Sequence, residues 1–77
     1  MNYDLAMMAL EGLTRSPLSI QAAGKDIVVE GSAEAFKHLA RLCLLLGAEG
    51  SQSNDGFELQ SGIHATRDSV SITIRRP

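Results

Sequence analysis

Residues 31–47 read GSAEAFKHLARLCLLLG, and their reading sets the fold. Gly31-Ser32 opens the stretch and Gly47 closes it. The Ser32 hydroxyl suits the N–H groups that a first helical turn leaves free. Glu34 falls where the positive end of a helix dipole favours a carboxylate. Between these signals Phe36, Leu39, Ala40, Cys43 and Leu46 follow the i, i+3, i+4 pattern, with Leu42 on the flank. The spacing predicts a helix over 33–46 with that stripe against a sheet. Glu34, Lys37, His38 and Arg41 form its wet face. Such a rod is about 21 Å long, enough to cross four strands. Leu45 interrupts the wet face between the directions of His38 and Arg41, and Leu44 borders it. The two leucines mark that end of the helix for cover by the N-terminal arm or by a partner.

Both flanks of this helix read as hairpins. Upstream, Leu18, Ile20 and Ala22 alternate with Ser19 and Gln21. Ala23-Gly24-Lys25-Asp26 turns the chain, and Ile27-Val28-Val29-Glu30 returns as a β-branched strand. Downstream, the small polar stretch Ala48 to Gly56 reads as a linker. Phe57, Leu59, Ser61, Ile63 and Ala65 then alternate with Glu58, Gln60, Gly62 and His64. Gly62 reads as a bulge within that strand. Thr66-Arg67-Asp68-Ser69 turns, and Val70, Ile72 and Ile74 alternate with Ser71, Thr73 and Arg75. The expected architecture is α+β: a small ββαββ sandwich with one helix packed on a four-stranded, mostly antiparallel sheet. The far face of that sheet stays polar, and one outer strand offers an unpaired edge.

Ahead of this core lies a short N-terminal helical arm. Residues 4–13 carry Leu5, Ala6, Met7, Met8, Ala9, Leu10 and Leu13, with Asp4 as the expected cap and Gly12 as the expected stop. A helix apolar on all sides needs cover on all sides. Two readings stay open: an arm folded over its own core, or an arm docked on a second copy in a homodimer. Thr14-Arg15-Ser16-Pro17 breaks the chain, because Pro17 biases Ser16 towards extended backbone. One domain, 1–77, thus divides into an arm (1–16) and a core (17–77).

Composition narrows the function classes. A chain of 77 residues hides only about 60% of its unfolded surface and leaves little room for a concave active site. The net charge is −2, with no tryptophan, one tyrosine and two phenylalanines. That is neither the basic footprint of a nucleic-acid binder nor a set of base-stacking platforms. The start Met1-Asn2-Tyr3-Asp4 lacks the basic region of a secretory signal. No apolar run is long enough for a bilayer. With the single cysteine, Cys43, these features point to the cytoplasm and away from membranes. His38 and His64 are expected on opposite sides of the domain, and Cys43 within the apolar stripe. No spaced carboxylate set or phosphate loop accompanies them. The expectation is a non-enzymatic protein with no cofactor and no metal, whose partner is another protein. Its candidate contact residues are Glu30, Glu58, Gln60, His64 and Arg75 on the sheet, with Leu45 on the helix.

The stretch IVVEGSAEAFKHLARLCLLLGAEG followed by FELQSGIHATRDSVSITIRR resembles the small immunity proteins of bacterial polymorphic toxin systems, in the group numbered thirty-two. The likeness is a strand ending in Glu30-Gly31-Ser32, a leucine-rich helix, a glycine-containing loop and a closing pair of strands. It spans about residues 18–76 and leaves the arm outside. It implies a protein that binds and blocks a cognate toxin, through the polar sheet face or a strand edge with Glu30 and Glu58.

Overall fold

A computed structural model describes residues Met1 to Pro77. The chain runs through α1 (Tyr3–Arg15), β1 (Ser19–Ala23), β2 (Asp26–Glu30), α2 (Ala33–Gly47), β3 (Gly56–Leu59) and β4 (Ile72–Arg75). β1 pairs antiparallel with β2, and β3 with β4, as two separate two-stranded sheets. The fold is α+β, but the expected four-stranded sheet under a single helix is not formed. No helix is long and apolar enough to cross a membrane.

The sheet divides for a local reason. The alternation from Phe57 to Ala65 reads as one strand, yet Gly62 has φ +81°. That left-handed backbone turns the chain rather than bulging it. The Gln60 carbonyl accepts from the N–H groups of Ile63, His64 and Ala65 in one tight turn. Regular pairing therefore ends at Leu59↔Ile72. Just beyond it, the Ser61 N–H donates to the Ser71 hydroxyl at 3.0 Å in place of a ladder carbonyl.

The irregular stretch that follows lies along β1 and joins the two hairpins. Leu18 N–H donates to the His64 carbonyl at 3.0 Å, and Thr66 N–H returns a bond to the Leu18 carbonyl at 2.8 Å. Val70 N–H donates to the Ile20 carbonyl at 2.9 Å, and Ile20 N–H to the Ser69 hydroxyl at 2.9 Å. Ser69 is buried, and its hydroxyl satisfies a donor that would otherwise be orphaned in the core. β2 has no such neighbour, so its outer edge is unpaired, with Ile27 and Val28 exposed.

The N-terminal segment is a full structural helix. Asn2, not Asp4, caps α1, its side-chain oxygen accepting from Leu5 N–H at 3.1 Å. Gly12 does not stop the helix; it is buried within it. A Cβ at Gly12 would lie 2.4 Å from the His38 ring, so the absent side chain lets α2 approach closely. Asp4 in the first turn and Arg15 in the last both suit the helix dipole.

Helix α2 starts as expected, with the Ser32 hydroxyl accepting from Ala35 N–H at 3.1 Å. Its buried face differs from the expected one. Ala35, Leu42 and Leu46 are buried, whereas Phe36, Ala40 and Cys43 are exposed and Leu39 is half-buried. At about 100° per residue, the helix is rotated by roughly a quarter turn from the predicted stripe. The cause is α1, which packs side by side with α2 and takes the flank that holds His38, Leu42 and Leu45. The core is shared by Ala6, Ala9 and Leu13 of α1, Ala35, Leu42 and Leu46 of α2, Leu18 and Ile20 on the first hairpin, and Phe57, Leu59 and Ala65 on the second half.

Candidate docking surface

Both helices are needed to make the main concave surface. Leu5, Met8, Ala9 and Arg15 of α1 line it together with His38, Arg41, Leu44 and Leu45 of α2. The two helices flank a groove of about 540 Å³. Leu5 is 49% exposed, Met8 65% and Leu44 73%, so the walls are large apolar side chains left in water. Isolated exposed leucines are ordinary, but a contiguous set lining one groove is not.

The charged part of this groove is entirely cationic. Arg15 and Arg41 line it, and no carboxylate does. Arg41 Nη1 donates to His38 Nδ1 at 3.1 Å. A guanidinium can only donate, so His38 Nδ1 carries no proton in this contact. The His38 ring, half-buried against Gly12, therefore holds one arginine over the groove.

The six residues singled out from sequence do not form one surface. Glu58, Gln60 and His64 lie together at the end of β3, where Gln60 N–H donates to His64 Nδ1 at 3.1 Å. Arg75 stands opposite Gly56 at the other end of that hairpin. Glu30 is on β2, in the other sheet. Leu45 is half-buried in the helical groove. Cys43, expected inside, is exposed. Leu5, Met8 and Arg15 were not among the candidates; the signal for them was the all-round apolarity of the arm beside Leu44 and Leu45.

His64 also reports its surroundings. Burial pulls its pKa below the ordinary 6.5, and the nearby Glu58 carboxylate only partly opposes this. The folded state therefore binds the His64 proton less readily than the unfolded chain. Stability therefore falls as pH drops from 6.5 through the lowered folded value. Protonation would also remove the Nδ1 lone pair that accepts from Gln60. We expect an NMR titration of the His64 ring to give a midpoint below 6.5, and His64→Gln to remove this part of the acid sensitivity. A midpoint at or above 6.5 would contradict the packing described.

A second polar centre lies where the sequence reads only as a linker. The Asp55 carboxylate is nearly buried. Its Oδ2 accepts from Gln52 N–H at 2.8 Å, the Met1 amino group at 2.8 Å and the Ser51 hydroxyl at 3.4 Å. Its Oδ1 accepts from the Tyr3 hydroxyl at 2.8 Å. The Gln52 N–H, then the amino group and the Tyr3 hydroxyl, hold the carboxyl far below its ordinary range. With both oxygens engaged, this group clamps the start of α1 to the loop. The tail is bonded too: Arg76 N–H donates to the Asp55 carbonyl, and Arg76 Nη1 to the Ser51 carbonyl at 3.1 Å. Nowhere do three or more His, Cys, Asp or Glu side chains converge as metal ligands would. Comparison of the chain with protein-family models, curated proteins and solved structures gave no match.

Proposed function

We propose that this chain is a non-catalytic protein-binding module that docks an apolar, carboxylate-edged helical surface in the α1–α2 groove. One observation carries the reading: exposed Leu5, Met8 and Leu44 line a single groove whose charged residues are all cationic. Apolar walls supply the burial that drives association, and the arginines select the sign of the occupant's rim.

A synthetic amphipathic helix of leucine and glutamate tests this chemistry, with a leucine–lysine helix as control. We expect the acidic helix to shift the NMR signals of Leu5, Met8, Arg41 and Leu44, and the basic one to leave them unmoved. Leu44→Glu should weaken binding of the acidic helix by about tenfold or more. Shifts confined to the Glu58–His64 surface would overturn the assignment of the groove.

The immunity-type form of the reading, with a cognate bacterial toxin as partner, is supported by the resemblance over residues 18–76 alone. A toxin gene beside this one, whose product co-purifies with the chain, would support it further. The second reading is a homodimeric structural or regulatory protein assembled through α1, and it is favoured by the charge pattern of that helix.

A further inference from the structure

We infer that the occupant of the groove is a second copy of this chain, docked about a two-fold axis with the two α1 helices antiparallel. The inference rests on the groove being the docking surface. It comes from four exposed residues, Asp4, Met8, Glu11 and Arg15. Their spacing of i, i+4, i+7 and i+11 sets them in one stripe along α1. The stripe reads acid, apolar, acid, base.

The two ends of that stripe are complementary to each other when one copy is reversed, Asp4 being acidic and Arg15 basic. If α1 is laid antiparallel on a copy of itself about the midpoint of the stripe, Asp4 faces Arg15 of the partner subunit. Met8 then faces Glu11 of the partner subunit. A two-fold axis repeats each pairing, giving two acid–base contacts from one complementarity. A parallel arrangement would set Asp4 against its own copy and Arg15 against its own copy. Arg41, held by His38, adds a second arginine to the groove. No carboxylate lines the groove, and neither Arg15 nor Arg41 forms an ion pair within the chain, so the partner's Asp4 supplies the missing charge. Leu5 and Leu44 beside the stripe add the apolar area. The helix is about 20 Å long, so the face is at the small end of specific interfaces. Association is then concentration-dependent, with a dissociation constant on the order of micromolar.

Sedimentation of the full chain over a range of concentrations, with variant mixing, tests the register. The wild type should reversibly dimerise. Asp4→Arg alone and Arg15→Asp alone each place like charges across the interface and should weaken dimerisation by about tenfold or more. An equimolar mixture of the two variants should associate again, because each now carries the complement of the other. Circular dichroism checks that the helices persist. Met8→Lys and Met8→Glu provide a second pair that leaves the helix ends untouched. Facing Glu11 of the partner subunit, the lysine variant should dimerise more tightly than the glutamate variant.

A wild type that stays monomeric at all concentrations overturns the second copy as occupant, and the acidic helix then tests the groove separately. A dimer indifferent to Asp4→Arg, Arg15→Asp and the charge at Met8 overturns the antiparallel register. If that dimer is still lost in Leu44→Glu, the groove remains the docking surface. Singly weakened variants that recover on mixing are the result expected.

Discussion

Leu42→Ala is expected to lower the unfolding free energy by about 2–5 kcal/mol, whereas Phe36→Ala should cost no more than about 1 kcal/mol. Leu42 is fully buried between the helices and the sheets, so truncation leaves a cavity that neighbours on several elements would have to move to fill. Phe36 is 42% exposed, and much of its ring is already in water. A domain of this size has roughly 4–11 kcal/mol in total. Leu42→Ala therefore removes a large part of the stability, and Phe36→Ala little. Urea unfolding of the two variants decides the matter through the shift in midpoint at constant slope. A helix oriented by its periodicity alone would give the opposite order, since Phe36 would then anchor the core and its loss would cost about 3–5 kcal/mol. A greater loss from Phe36→Ala than from Leu42→Ala would show that α2 is not rotated as described.

The same pair of residues shows where sequence reading reaches its limit. The start of α2 was legible because Ser32 and Glu34 act locally, on groups within one turn. Its buried face was not. Phe36, Leu39, Ala40, Leu42, Cys43, Leu44, Leu45 and Leu46 cover most of the wheel, so the sequence allows several stripes. The packing of α1 selects one of them, and periodicity within α2 carries no information about its neighbour. Gly12 illustrates the same point, because a glycine required by the close approach of His38 looks in sequence like a stop signal. The first hairpin, with its β-branched return strand, was read with its turn in place. In the second, alternation continues through Gly62 while the backbone does not, and the four-stranded sheet was lost there. The docking groove required both helices in position before Leu5, Met8 and Leu44 could be seen as one surface. Of the polar candidates, Glu58 and Arg75 share the exposed face of the β3–β4 hairpin, but Glu30 lies in the other sheet and would join them only on a continuous sheet that the chain does not form.

Asp55→Asn should loosen the attachment of α1 and flatten the acid response of the protein. In the wild type the carboxylate accepts from Gln52 N–H, the Met1 amino group and the Tyr3 hydroxyl, and these donors favour its charged form. Because the folded pKa is depressed, the stabilisation is fully present above the ordinary carboxyl value of 3.8 and is lost as pH falls through the lowered one. At pH 7 the variant should therefore unfold at lower temperature than the wild type. The two melting temperatures should converge as acid removes the charge that the variant already lacks. Tyr3 provides an independent readout. Its bond to Asp55, and the negative charge of that carboxylate, raise the phenol above its ordinary pKa of 10. Tyr3 is the only tyrosine and the chain has no tryptophan, so the phenolate absorbance band reports this residue alone. Its midpoint should lie above 10 in the wild type and move back towards 10 in Asp55→Asn. A wild-type midpoint at 10, or melting curves that stay parallel through the acid range, would mean that the carboxylate does not hold the start of α1 to the loop.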